Sequence, residues 1–171
     1  MPQTIQYMNH AYLLIGGNVG DRMGRLQFAL RLIEAELGNV RVVSSIYETA
    51  AWGKTVQPDF LNQALLVETE LSALALMSAI LDLELRMGRV RNDKYGPRTI
   101  DIDILFYDHD IINIQGLQIP HPQIQNRKFV LCPLFEIAPH FIHPILNKDI
   151  EALLEECTDL LDVKKISADF V

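Results

Sequence analysis

Apolar positions along this chain switch between a continuous or alternating pattern and a helical one. Ala11 to Ile15 (AYLLI) is an unbroken apolar run that stops at Gly16-Gly17, which predicts a buried strand. Asp21 is placed to cap a helix in which Leu26, Leu30, Ile33 and Leu37 keep one face, with Gly38 as the stop. Val40 to Tyr47 is rich in β-branched residues and predicts a second strand. A polar loop with Gly53 and Pro58 follows, and Phe60 to Thr69 resumes strand character. Ser72 is a candidate N-cap for a second helix, with Leu76, Ile80, Leu83 and Met87 on one stripe and Gly88 at its end. Ile100 to Tyr107 is the clearest strand. Ile100, Ile102, Ile104 and Phe106 fall on one face; Asp101, Asp103, Leu105 and Tyr107 fall on the other.

The resulting order, β-α-β-β-α-β, predicts an α+β fold with a ferredoxin-like βαββαβ core: an antiparallel sheet with helices on one face. Beyond Asp108 a hairpin near Ile111 to Ile119 and further helices are expected. Among them, Lys148 to Cys157 has Ile150, Leu153 and Leu154 at helical spacing. Helices from this region would cover the second face and elaborate the core to a three-layer αβα sandwich. With 171 residues and no repeat, low-complexity tract or Gly/Ser linker, a single domain spanning 1–171 is expected.

Composition narrows the function. No apolar run approaches the roughly 20 residues that cross a bilayer, so no membrane association is expected. The N-terminal MPQTIQYMNH lacks the pattern of a secretory signal. Cys132 and Cys157 are too few and too far apart in sequence for a disulfide framework or a zinc motif, and a reducing, cytoplasmic setting is expected. A net charge of −7 argues against a nucleic-acid partner. It also means that any phosphate chemistry needs a local basic cluster, a metal, or both.

Both turn up together. Asp101 and Asp103 point the same way from one strand, about 6–7 Å apart. At an effective dielectric near 20 two such charges repel by roughly 2.5 kcal/mol, a cost that a cation between them removes. Magnesium takes hard oxygen ligands of this kind, together with substrate phosphates and water. Just upstream, RMGRVRNDKYGPR packs Arg86, Arg89, Arg91, Lys94 and Arg98 into a stretch broken by Gly88, Gly96 and Pro97, a loop able to fold over a ligand. Arginine forks fit phosphate oxygens two at a time. A cationic loop feeding a strand with paired aspartates is the combination expected for metal-assisted phosphoryl transfer. Gly16-Gly17-Asn18-Val19-Gly20 is neither a Walker A loop nor G-x-G-x-x-G, and reads as a tight turn.

Several ordered blocks then carry a resemblance. IGGN (15–18), SSIYET (44–49), QPDFLN (57–62), GRVRNDKYGPRTIDIDIL (88–105), IPHP (119–122) and NRKFVLCPLFEIAP (126–139) together resemble the 6-hydroxymethyl-7,8-dihydropterin pyrophosphokinases of folate biosynthesis. The resemblance covers about residues 12–144. It implies transfer of the terminal pyrophosphate of ATP to the hydroxymethyl group of a reduced pterin, with release of AMP, on a three-layer ferredoxin-like fold.

By motif, it implies that Asp101 and Asp103 bind two Mg2+ ions bridging the ATP phosphates. Arg89 and Arg98 would engage phosphates and assist transfer, with Arg91 on the same loop. Phe60 and Phe129 would sandwich the pterin, Asn62 would hydrogen-bond its edge, and Thr49 would contact it. Glu84, His121 and Arg127 match nucleotide-side contacts. Leu81, Tyr95 and Ala50-Ala51-Trp52 depart from the commonest family pattern. The expected partners are small molecules, ATP and the pterin. A different D-x-D transferase or phosphatase accounts for the aspartates and arginines but not for the two rings with Asn62. A non-catalytic ferredoxin-like binding domain would bind ligand without turnover and without regard to magnesium.

Overall fold

The computed structural model describes residues 7–51, 56–90 and 96–166. Among these residues an antiparallel sheet is flanked by four α-helices. Strand β1 (Asn9–Gly17) is an inner strand, paired antiparallel with β4 (Phe60–Thr69) on one side and β5 (Asp101–Tyr107) on the other. Both faces of β1 are covered. Ala11, Leu13 and Ile15 enter a core under α1 (Arg22–Glu36) and α2 (Ala73–Arg86), while Tyr12 and Leu14 meet a second core under α3 (Lys128–Ile137) and α4 (Ile150–Glu156). Burial on both faces is why the strand reads as an unbroken apolar run rather than an alternating one.

The predicted caps form. Asp21 accepts from the Gly24 N–H at 3.0 Å and Ser72 from the Ala75 N–H at 3.2 Å, each satisfying a donor that the first helical turn leaves unpaired. Gly88 ends α2 in the left-handed region (φ +85), and the chain turns so that the Arg89 N–H returns to the Glu84 carbonyl at 3.0 Å. That turn aims Arg89 inward.

Two expectations need correction. The strand foreseen from Val40 to Tyr47 is two strands, β2 (Asn39–Val43) and β3 (Ile46–Thr49), both paired with β4. Ser44 makes the break. Its hydroxyl accepts from the Ala64 N–H at 2.9 Å and donates to the Ser45 carbonyl at 2.7 Å, so a side chain takes over part of the ladder. On β5 the alternation fails after Ile104. The register against β1 slips between Leu13 and Tyr12, leaving Leu105 as the extra residue, and the two faces exchange. Phe106 therefore packs in the α3/α4 core and Tyr107 in the α1/α2 core, the reverse of the alternation expected.

Strands β6 (Ile112–Ile114) and β7 (Leu117–Ile119) form the expected hairpin, turning at Gly116 with φ +83. Strand β8 (Val163–Ile166), which periodicity did not foresee, pairs with β3, giving the sheet order β5-β1-β4-β3-β8 with β2 also on β4. Of the H-x-x-H pair, His143 is buried and its Nδ1 accepts from the Ile145 and Leu146 N–H groups, both at 3.2 Å. It closes a turn. Cys132 and Cys157 are free thiols. Among the described residues no helix is long and apolar enough to cross a membrane.

Candidate active site

Pairing across four strands sets the site. Asp101 on β5 lies opposite Gly16 on β1, Gly16 opposite Asn62 on β4, and Asn62 opposite Tyr47 on β3. The next row holds Asp103, Leu14 and Ala64. At the usual strand spacing Asp101 and Asn62, two strands apart, stand roughly 10 Å from each other on one face. That face is the one α3 and α4 cover. Beyond the N-terminus of α3 it opens into a cavity of about 410 Å³. Thr49, Phe60, Asn62, Arg89, Arg98, Asp101, Asp103, His121, Arg127 and Phe129 all line it.

Ten of the twelve candidate residues thus converge. Of the other two, Arg91 lies outside the described residues, as do Trp52, Lys94 and Tyr95. Glu84, expected to touch the nucleotide, is 1% exposed and does not line the cavity. It sits behind the site. Its Oε1 accepts from the Ile102 N–H at 3.2 Å, and its Oε2 lies 3.9 Å from Arg89 Nε. A carboxylate so placed holds β5 and Arg89 in position, and it adds negative charge behind the aspartates.

The acidic end is electrostatically loaded. Arg98 donates from Nη1 to Asp101 Oδ2 at 2.7 Å, and Arg89 Nη2 lies 4.0 Å from Asp101 Oδ1. The Asp103 carboxyl is pushed up to about 8, by burial first and then by the charges of Asp101 and Glu84, with Arg98 and Arg127 opposing. An acid whose folded pKa is raised is destabilising when ionised. The penalty is absent below the unfolded value near 4, grows as pH rises, and is complete above the folded value. In the absence of metal, Asp103→Asn is expected to raise Tm by a few degrees at pH 7.5 and to leave it unchanged at pH 4, measured by scanning calorimetry. An equal shift at both pH values would contradict this electrostatic origin.

His121 is held neutral. Burial first and Arg127 second push its pKa down to about 4, while Asp101 pulls the other way. Its Nδ1 accepts from the Gln123 N–H at 3.1 Å, so the ring proton resides on Nε2 and offers one neutral donor.

The aromatic end is assembled from distant segments. Phe60 opens β4 opposite Thr49, and Phe129 lies in the first turn of α3, with Arg127 at its N-cap. The Arg127 guanidinium carbon is 5.8 Å from the Phe129 ring centroid. Thr49 is buried, its hydroxyl donating to the Asp162 carbonyl at 3.4 Å, and Asn62 is 5% exposed.

Two residues read from the sequence only as part of a turn, Gly16 and Asn18, carry weight that sequence reasoning missed. Asn18, 1% exposed, accepts at Oδ1 from the Arg98 N–H at 2.8 Å and donates to Gln57 Oε1 at 3.0 Å and the Pro58 carbonyl at 2.8 Å. It ties the turn bearing Arg98 to the segment leading into Phe60. A buried amide directly after a strand was the available signal. Gly16 lines the cavity between the aspartates and Asn62. A Cβ there would overlap Asn62 Oδ1 and stand 2.9 Å from the Leu61 carbonyl. Gly16→Ala is expected to displace the Asn62 amide and raise the KM for the substrate that binds it by about tenfold or more, the scale set by sub-ångström misplacement. An unchanged KM for both substrates would show that the space is not needed.

Residues 12–139 match the family model of 7,8-dihydro-6-hydroxymethylpterin-pyrophosphokinase. A 2-amino-4-hydroxy-6-hydroxymethyldihydropteridine pyrophosphokinase of Aquifex aeolicus is 40% identical over 151 residues, covering 88% of this chain and 94% of that one. Its counterpart in Haemophilus influenzae is 41% identical over 136 residues, covering 78% and 84%. In three dimensions the chain resembles the wild-type HPPK-DHPS crystal structure of Plasmodium falciparum, with a TM-score of 0.74 at 19% identity. That likeness covers 88% of this chain but 45% of the longer Plasmodium chain. The family-model match over residues 12–139 and the extent of sequence identity place this chain in the 7,8-dihydro-6-hydroxymethylpterin-pyrophosphokinase family.

Proposed function

We propose that this pyrophosphokinase joins its two substrates in the cavity along the Asp101–Gly16–Asn62 row, with ATP phosphates at the acidic and arginine end and the pterin between Phe60 and Phe129. The observation that carries the reading is the convergence of two kinds of chemistry on one sheet face. Paired carboxylates with Arg89 and Arg98 stand at one end; two rings with a buried amide and Arg127 stand at the other, roughly 10 Å away.

The donor set fits magnesium. Asp101 and Asp103 present hard oxygen ligands from one strand; burial first, and the charges of Asp101 and Glu84 second, make an ionised Asp103 costly, and a divalent cation would relieve that cost. Two ions are expected, held by these two carboxylates; when bound, they polarise the phosphoryl oxygens and neutralise charge on the transferring group.

The chain's own side chains supply the rest. Phe60 and Phe129 stack on the flat heteroaromatic ring, while the Asn62 amide donates to and accepts from its edge and Thr49 contacts it. Arg89, Arg98 and Arg127 take phosphate oxygens, and the neutral His121 adds one Nε2–H donor without adding charge. Arg91 belongs to the same basic stretch as Arg89 and Arg98 and contributes from there. Among the described residues, none that the motifs single out clearly serves as a general base. The substrate hydroxyl attacks the β-phosphorus in line, AMP leaves, and catalysis rests on positioning and on charge stabilisation.

We read the architecture as the ferredoxin-like βαββαβ unit elaborated to three layers, a reading supported by the sheet order β5-β1-β4-β3 and by helices on both faces. A single domain over 1–171 and a cytoplasmic setting belong to the same proposal. Its test is incubation with ATP, magnesium and 6-hydroxymethyl-7,8-dihydropterin, with products separated by chromatography. AMP and a pterin diphosphate are expected in equal amounts. ADP or inorganic phosphate would point to another D-x-D transferase or a phosphatase. Binding without turnover, indifferent to magnesium, would point to a regulatory domain.

A further inference from the structure

Two of the sequence blocks, SSIYET and the FEIAP end of the last one, have no place in the mechanism above beyond Thr49, yet the fold brings them together. Glu136, near the C-terminus of α3, accepts at Oε1 from both the Ser45 N–H (3.0 Å) and the Ser45 hydroxyl (2.7 Å). At Oε2 it accepts from the Tyr47 hydroxyl at 2.6 Å. Burial and this bond push the Tyr47 pKa up, so the phenol remains a donor. Lys165 of β8 approaches to 3.8 Å. One carboxylate therefore clamps α3 to β3.

The same face of each element continues into the cavity. Glu136 and Phe129 are seven residues apart on α3, two turns along one helical face, a rise of roughly 10 Å. On β3, Tyr47 and Thr49 share one face by the strand period, with Ser45 just before the strand, and Thr49 lines the cavity. Tyr47 lies opposite Asn62, and Thr49 lies opposite Phe60. Between the clamp and Phe129 lies Pro133, which has no N–H to return to the Phe129 carbonyl. This first stretch of α3 is therefore less self-supporting than an ordinary helix. Its placement rests on the packing of Val130, Leu131 and Leu134 in the second core and on two polar anchors: Glu136, and the Lys128 N–H, which donates to Asp159 Oδ2 at 3.0 Å.

We infer that Glu136 is a positioning residue for the pterin end of the site: by clamping α3 to Ser45 and Tyr47 it sets the gap between Phe129 and Phe60. The inference rests on the proposed function. Arg89, Arg98, Asp101 and Asp103 come from the α2–β5 region, which Glu136 does not touch; Arg127, at the N-cap of α3, shares the clamped helix, so ATP handling is expected to move with the clamp less than pterin binding does.

The test is steady-state kinetics with each substrate varied, together with Tm, for Glu136→Ala, Glu136→Gln and Tyr47→Phe. Tyr47→Phe keeps the buried ring and removes one bond only, so it reports even where Glu136→Ala folds poorly. Glu136→Ala should raise the pterin KM roughly tenfold while the ATP KM and kcat stay within about threefold. Tyr47→Phe should move the pterin KM in the same direction by less, and Glu136→Gln, which keeps an acceptor for Ser45, should recover part of the loss. An unchanged pterin KM in both the Ala and Phe variants would overturn the inference. So would parallel losses in both KM values and kcat that track the fall in Tm, the signature of general loosening. A wild-type enzyme that makes no AMP would overturn the proposed function, and the inference with it.

Discussion

Replacing Asp101 with Ala is expected to lower the rate of AMP formation by about three orders of magnitude or more, because the several kcal/mol a bound metal contributes to charge stabilisation are lost with its ligand. Asp103→Ala should do the same. The loss should not be one of folding. Asp101 is among the groups that hold the Asp103 carboxyl at its raised pKa, so its removal relieves a repulsion within the folded protein. The turn carrying Arg98 is held through the backbone by Asn18 rather than by Asp101. The measurement is turnover under saturating Mg-ATP and pterin, with Tm taken alongside. Near-normal turnover in either variant would sink the metal assignment, and a large fall in Tm would move the effect to stability.

Arg98→Ala carries the second large effect. Its side chain is about a quarter exposed and its Nη1 lies 2.7 Å from Asp101. The Arg98 carbonyl and N–H are both bonded to Asn18, at 2.9 and 2.8 Å, so truncation removes the guanidinium and leaves the turn. A donor aimed at developing phosphoryl charge typically contributes a factor of about 10²–10³ to kcat when preorganised. That loss is expected here, with the ATP KM changing much less. A pure KM defect at unchanged kcat would mean that Arg98 binds ground state and transition state alike, contrary to the role given to it. Arg98→Lys should recover only part of the rate, since an ammonium keeps the charge but not the two-pronged geometry.

Much of this was legible from local pattern. Strand β1, both helix caps and the Asp101/Asp103 pair follow from short-range spacing. A strand of period 2 with two acids on one face announces them without reference to any other segment. Ordered motifs extended that to Phe60, Asn62 and Phe129, because a resemblance carries the record of contacts that spacing alone does not. Local pattern misled where a neighbour intervened. Ser44 splits one predicted strand because its hydroxyl bonds the backbone of β4. The slip opposite Leu13 turns Phe106 and Tyr107 to faces that strict alternation denies them. Strand β8, four residues with two lysines, is too short to show a period and exists because β3 offers it an edge.

By itself, then, the sequence determined which residues could do phosphate and aromatic chemistry, and on which strand or helix each would lie. Only the tertiary structure decided what stands next to what. Register across β5, β1, β4 and β3 puts Asp101 and Asn62 in one row with a glycine between them, and it sends Glu84 behind the site instead of into it. The physical reason is that side-chain direction is set by the dihedrals of a few adjacent residues, whereas strand register and helix docking are set by contacts between segments tens of residues apart. No local period encodes those.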